Sequence, residues 1–96
     1  MKVFYTPAAL RDLDEIADWL AVNYPTIAPA VERRIRMVIA HIGHWPESAR
    51  RSAKRPEIRV VRVGRYPYRI FYRAHTDVVE ILHIHHAARE PWDERD

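Results

Sequence analysis

The stretch VVRVGRYPYRIFYRAHTDVVEILHIHHAAR, residues 60–89, decides the fold of this chain. Its apolar residues are mostly β-branched or aromatic, and residues 64–67 and 74–77 interrupt them. We therefore predict three strands, at 58–63, 68–73 and 78–85, joined as an antiparallel meander. Tyr66, Tyr68 and Tyr72 alternate in phase with Ile70 and are expected to pack inward. Arginines also recur within these runs, so cationic side chains should stand on a rigid sheet; they occupy positions 62, 65, 69 and 73.

The residues before this stretch predict a strand followed by a helical hairpin. Residues 2–5 form the strand, and Thr6-Pro7 supplies an N-cap and a proline that begins the first helix. Asn23-Tyr24-Pro25 ends that helix, and residues 26–29 can begin a second, which Trp45-Pro46 ends. The periodic apolar residues expected to face the core are Leu10, Leu13, Ala17, Leu20 and Tyr24, then Val31, Ile35, Val38, Ile42 and Trp45, flanked by Ile39.

These elements predict an α+β fold in the order β-α-α-β-β-β, with residues 1–96 forming one domain. The helical hairpin would cover one face of a small, mainly antiparallel sheet, and residues 46–57 would be a polar connection rich in arginine. The last strand carries Val79 and Ile81 on one face and Leu82 and Ile84 on the other. Its second face is therefore expected to be covered either by another chain or by loop residues.

Composition excludes several classes of protein. Apolar residues make up 48% of the 96 residues and only two are glycine, which indicates a globular domain with one core. The absence of cysteine excludes disulfides, thiolate zinc sites and a cysteine nucleophile, and it suits a reducing cytoplasm. Because no long apolar stretch follows Met1, neither a signal peptide nor a membrane span is expected.

Positive charge is concentrated in the middle of the chain. The net charge is only +3, but residues 31–75 carry twelve arginines or lysines against three acids. The acids of the first helix, with Arg11, are expected on its exposed side: Asp12, Asp14, Glu15 and Asp18. The basic region would suit a polyanion or an acidic protein face, and it would equally suit a solvated surface that keeps the protein soluble.

Three segments resemble the RelE/ParE toxin superfamily. They are YPYRIFYR at 66–73, EILHIHHAAR at 80–89, and the opening FYTPAA at 4–9 with Asp12-Leu13 and Ile16 after it. The resemblance covers nearly the whole chain and is closest to the ParE branch. It implies a cytoplasmic toxin of a type II toxin-antitoxin pair, without a cofactor, which poisons DNA gyrase and blocks replication. It also implies a hetero-oligomer with a ParD-like antitoxin, through which alone the toxin contacts DNA.

The resemblance suggests an antitoxin-binding surface, and residues near the chain end suggest a target-binding surface. An amphipathic C-terminal segment of the antitoxin is expected against the helical hairpin and the sheet edge, near Trp19, Leu20, Tyr68 and Phe71. The residues expected to bind the target are Arg65, His86, Arg89 and Trp92. An exposed tryptophan and arginine near a chain end are efficient anchors for a protein partner, although Trp92 could instead pin the tail to the core.

An alternative reading is a ribosome-dependent mRNA endonuclease, the activity of RelE-type relatives. That reaction needs a base, an acid and cations for the developing phosphorane charge. His83 and His85 should share a strand face at roughly 6.5 to 7 Å between Cα atoms, with Arg69 or Arg73 on the neighbouring strand. The lysine and arginine pattern of RelE is not evident, so structural roles for both histidines and a non-enzymatic gyrase inhibitor are preferred. A toxin-derived binding module without toxicity is a third possibility.

A metal site is not expected from the histidines near the end of the last strand. Strand alternation sends His86 to the face opposite His83 and His85, and no cysteine completes a ligand set.

Overall fold

Two helices cover one face of a five-stranded sheet in the computed structural model, which describes residues 1–87. This arrangement confirms the predicted α+β fold and the helical hairpin. The elements in chain order are β1 Lys2–Tyr5, α1 Pro7–Asn23, α2 Ala28–His44, β2 Arg50–Arg51, β3 Arg59–Arg62, β4 Tyr68–Ala74 and β5 Val78–His86.

The strands lie in the order β1-β5-β4-β3-β2. β1 runs parallel to β5, and every other neighbouring pair is antiparallel, so the predicted meander is confirmed. The sequence did not predict β2, in which Arg50 and Arg51 pair with Val60 and Arg59 inside the basic connection. Two arginines carry no β-branched or aromatic signal, so only their pairing with β3 makes them a strand.

Local sequence signals explain the helix bounds. The Thr6 side chain accepts a hydrogen bond from the N–H of Ala9 at 3.1 Å, and Pro7 occupies the first turn, where no N–H is needed. The N–H of Tyr24 then closes α1 on the carbonyl of Leu20 at 2.8 Å, just before Pro25. Neither helix within residues 1–87 is long and apolar enough to cross a membrane.

The main core lies between the helices and the sheet, and three residues expected there are exposed instead. Leu10 is 51%, Tyr24 52% and Trp45 64% exposed. In α1 the neighbouring Ala9 takes the inward position. Tyr24 and Trp45 follow the last turns of their helices, where the backbone leaves helical geometry and the periodicity no longer applies. The buried residues of the two helices are Ala9, Leu20, Ala28, Val31, Ile35, Ile39, Ile42 and Gly43.

A β-bulge at Leu82 changes which face of the sheet each later residue of β5 occupies. Phe71 pairs with His83 and Tyr72 with Ile81, so Leu82 has no counterpart on β4. The extra residue returns Ile84 to the face that carries Ile81, and both belong to the main core. The prediction that Ile84 would face the side opposite Ile81 is therefore wrong.

The second face of the sheet carries a small apolar cluster of its own. Ile58, Val60 and Phe71 are at most 4% exposed, and Leu82 packs against them. The apolar residues of this face therefore pack against one another. Its cover by another chain or by loop residues stays a prediction.

Candidate functional site

The face of the sheet turned away from the helices combines histidines with arginines. Across three strands, Arg62 pairs with Arg69, and Arg69 pairs with His85. In the next row Val60 pairs with Phe71, and Phe71 with His83. We call this surface the open face. The positions on β3 and β4 follow from alternation, whereas the extra residue Leu82 places both His83 and His85 on this face.

His83 and His85 lie side by side on the open face. Their ring centroids are 5.1 Å apart, and the ring of His85 also meets Phe71 edge-on at 6.0 Å. His86 lies on the opposite face, where its ring meets Tyr68 edge-on at 5.3 Å. The two arginines proposed beside the histidines differ in their surroundings. Arg69 is exposed opposite His85, whereas Arg73 lies 3.5 Å from the Glu80 carboxylate.

Asp12 joins these histidines from α1, although the sequence placed it on an exposed helix surface. One carboxylate oxygen, Oδ2, accepts the backbone N–H of Ile84 at 2.9 Å and lies 3.4 Å from Nδ1 of His83. Asp12 follows Ala9 by three positions and precedes Ile16 by four, so the helical period does place it toward the sheet. That spacing was the signal available in the sequence.

Asp12 and Thr6 together complete the edge of β5. β1 ends opposite Ile81, and among residues 1–87 no strand pairs with the following residues of β5 on that side. The Thr6 hydroxyl donates to the carbonyls of Ile81 and Leu82 at 2.9 and 3.0 Å, and Asp12 accepts from Ile84. Side chains of the α1 region therefore replace the ladder of hydrogen bonds that a longer first strand would have made.

A second surface, which we call the hairpin groove, lies where α1 ends and α2 begins. It is lined by Trp19, Leu20, Tyr24, Ile27, Val31, Tyr66, Pro67, Tyr68 and His86. Tyr24 and Ile27 expose about half of their surface there, and the rings of Trp19 and Tyr24 are 5.4 Å apart. The lining of the groove is therefore mainly apolar and aromatic.

The structure brings together three of the four residues predicted to bind an antitoxin. Trp19, Leu20 and Tyr68 line the hairpin groove, but Phe71 lies on the open face in the small apolar cluster. One patch cannot contain all four, because residues 68 and 71 differ by an odd number of strand positions and face opposite ways.

The four residues predicted to bind the target do not form one observed surface. Arg65 lies at the turn before β4, with its guanidinium carbon 5.7 Å from the centre of the Tyr66 ring. Gly64 has a φ of 55°, which allows this turn. His86 lines the hairpin groove. Arg89 and Trp92 lie outside the described residues.

Two tyrosines have perturbed acidities. Burial raises the pKa of Tyr72, an effect that the nearby Arg59 partly opposes, and its hydroxyl donates to the carbonyl of Pro46 at 2.8 Å. Burial likewise raises the pKa of Tyr5, with Arg36 acting in the opposite direction. Both tyrosines pack with the main core, so these shifts reflect folding and carry no sign of catalysis.

Comparisons with known proteins agree with this architecture. The family model described as "ParE toxin of type II toxin-antitoxin system, parDE" matches residues 3–91. A curated protein of Sinorhizobium fredii (strain NBRC 101917 / NGR234), named "Putative toxin Y4kP", is 33% identical over 89 residues, which are 93% of this chain and 91% of that protein.

A solved structure described as "Chromosomal ParDE TA system from P. aeruginosa" contains a similar chain. The TM-score is 0.76 at 25% identity, and the match covers 90% of this chain and 95% of that one. The similarity thus extends over the helical hairpin, the sheet and most of the sequence, and it confirms the resemblance carried by the three segments. The chain belongs to the ParE toxin family of type II toxin-antitoxin systems.

Proposed function

We propose that this toxin inhibits DNA gyrase in the cytoplasm and that a ParD-like antitoxin neutralises it. The observation that carries the proposal is the match of residues 3–91 to the ParE family model. The similar chain from a ParDE system supports a protein partner of the same kind. The toxin would contact DNA only through the antitoxin, within a complex of the two proteins.

The hairpin groove is the surface that best suits the antitoxin. Its aromatic lining and its exposed Tyr24 and Ile27 match the apolar side of an amphipathic segment. Leu20 and Tyr68 are already buried in the toxin, so they would form the floor of the groove. Trp19, Tyr24 and Ile27 would supply most of the contact. Large aromatic side chains of this kind contribute much of the free energy of binding in protein interfaces.

A pair of matched variants tests this docking site. Ile27→Glu places a charge in the groove, whereas Met37→Glu places one on an exposed part of α2 that does not line it. Ile27→Glu should weaken antitoxin binding by on the order of tenfold or more, and Met37→Glu should leave it unchanged. Isothermal titration calorimetry with the cognate antitoxin measures both. Equal affinity for the two variants would contradict the proposed site.

The gyrase assay tests the target. Toxin freed from antitoxin should inhibit plasmid supercoiling by purified gyrase or accumulate cleaved DNA, and added antitoxin should reverse the effect. No effect at saturating toxin would contradict gyrase as the target. Ile27→Glu toxin should still inhibit gyrase while resisting the antitoxin, which separates the two binding functions.

One arrangement favours the alternative, a ribosome-dependent mRNA endonuclease. The rings of His83 and His85 lie side by side, and Arg69 lies opposite His85 on the neighbouring strand. The Asp12 carboxylate is close enough to orient the ring of His83. Primer extension on translated mRNA would then reveal new cuts that vanish in His83→Ala and His85→Ala. If neither gyrase nor mRNA is affected and induced expression is harmless without antitoxin, the chain is a binding module without toxicity.

A further inference from the structure

The geometry points to a zinc site formed by Asp12, His83 and His85, at the junction of α1 with β5. One carboxylate oxygen and one nitrogen from each imidazole lie within 4.8 Å of one another. This set differs from the one considered in the sequence, because Asp12 takes the place of His86. The inference is independent of the toxin's target.

The spacing of two of these ligands already suits a tetrahedral ion. With metal-ligand bonds of about 2.0 to 2.1 Å, neighbouring ligand atoms around zinc are about 3.4 Å apart. Nδ1 of His83 and Oδ2 of Asp12 are separated by 3.4 Å. The His85 nitrogen lies within 4.8 Å of both atoms, so its side chain would have to move closer to complete the set.

The surrounding structure holds the ligands in place. The backbone N–H of Ile84 donates to the Asp12 carboxylate, which fixes that side chain against β5. His83 and His85 are two residues apart in β5 and so share a face, and the bulge at Leu82 makes it the face turned away from the helices. The side chains of Asp12 and His83 are only 20% and 32% exposed. Such support around the ligands strengthens metal binding because less conformational freedom is lost.

The donor set selects the kind of metal. Two imidazoles and one carboxylate suit zinc and related transition ions, whereas calcium and magnesium prefer sites made of oxygen atoms. The carboxylate offsets part of the charge of a divalent ion, although Arg69 opposite His85 acts against cation binding. Three protein ligands leave a fourth position for water or for a side chain of a partner.

Metal titration of the tag-free full-length chain tests the site. Zinc should bind with one ion per chain in a competition assay against a chromophoric chelator, and cobalt should give the visible absorption of a tetrahedral complex. His83→Ala and His85→Ala should each weaken zinc binding by on the order of tenfold or more. The matched control is His86→Ala, adjacent in sequence but on the opposite face, and it should bind zinc as the wild type does.

Asp12→Asn keeps an acceptor for the Ile84 N–H but removes the charge, so it should weaken zinc binding while circular dichroism shows a folded protein. Zinc should also raise the melting temperature of the wild type and of His86→Ala, because binding favours the folded state. Absence of saturable binding by the wild type would overturn the proposal. Undiminished affinity in the His83→Ala/His85→Ala double variant would also overturn it, since the ion would then lie at other histidines.

Discussion

The carboxylate of Asp12 accepts the backbone N–H of Ile84 at 2.9 Å, joining residues that are 72 positions apart. It fills the place that another strand would take beside β5. A helix side chain thus completes a sheet whose first strand is only four residues long. Since partly buried backbone groups need partners, this bond should contribute measurably to the stability of the fold.

Asp12→Ala should destabilise the protein by about 1 to 3 kcal/mol, because the N–H of Ile84 loses its acceptor in a partly buried position. The free energy of unfolding in urea, followed by circular dichroism, measures the loss. Asp18→Ala removes an exposed acid from the same helix and should change stability by less than about 0.5 kcal/mol. Similar losses for both variants would mean that Asp12 acts only through helix charge.

Tyr72→Phe should lower the free energy of unfolding by about 1 to 2 kcal/mol. Tyr72 is fully buried, and its hydroxyl donates to the carbonyl of Pro46, which holds the end of α2 against the sheet. Tyr24→Phe is the matched control, because Tyr24 is about half exposed. Thermal unfolding should show a lower melting temperature for Tyr72→Phe alone. An unchanged melting temperature would show that the hydrogen bond adds nothing to stability.

Alkaline pH should unfold the protein partly through its buried tyrosines. Burial raises the folded-state pKa of Tyr72 above the ordinary value of 10.0, and Tyr5 is shifted the same way. The folded state therefore holds the phenol proton more tightly than the unfolded chain does. The resulting stabilisation is present below about pH 10 and is lost as pH rises through the folded-state pKa.

Urea midpoints measured from neutral pH to above pH 10 should show this decline. It should be shallower in Tyr72→Phe, which has no ionisable group at that position, than in the wild type. Parallel declines in the two proteins would assign the alkaline effect to other groups.

Deletion of Leu82 should be tolerated. Without it, Ile81 and Ile84 still face the helices and His83 still faces away, so the strand becomes regular and no side chain changes face. The free energy of unfolding should fall by about 1 to 2 kcal/mol, because the contact of Leu82 with the small apolar cluster is lost.

Deletion of Glu80 is the matched control for this experiment. It makes Val79 and Ile81 adjacent, so they can no longer share the core face. Circular dichroism and urea unfolding should show a folded Leu82 deletion and a severely destabilised Glu80 deletion. Equal damage in both would mean that the bulge itself is needed for folding.

The sequence predicted those parts of the fold that local chemistry controls. Thr6-Pro7, Pro25 and Pro46 mark the helix ends, and apolar alternation marks the longer strands. Features that depend on distant partners were missed. Arg50–Arg51 is a strand only because β3 lies beside it, and the bulge at Leu82 appears only when β5 is aligned with β4. Simple alternation would place His83 and His85 on the core face with Ile81, and two histidines in the core were a sign that alternation failed there.

Predictions about the candidate sites also succeeded where they depended on neighbouring residues and failed where they depended on distant ones. The alternation of side chains along β5 correctly placed His86 on the face opposite His83 and His85, because no bulge interrupts the strand between these residues. Asp12 could not be assigned a role, since its partners come from the far end of the sequence. Phe71 was placed with Trp19 near the helical hairpin and the sheet edge, but it lies on the other face of the sheet.

The parallel pairing of β1 with β5 has a consequence for synthesis. Lys2 is aligned with Val78, and Tyr5 with Ile81. β1, which is synthesised first, can therefore pair only after β5 has been synthesised. Until the ribosome has released residues near 86, the helices lack the surface formed by Val79, Ile81 and Ile84. Contacts between such distant residues form late in folding. A nascent or prematurely terminated toxin would therefore lack the pairings of β5 with β1 and β4, so the complete fold forms only after translation has passed β5.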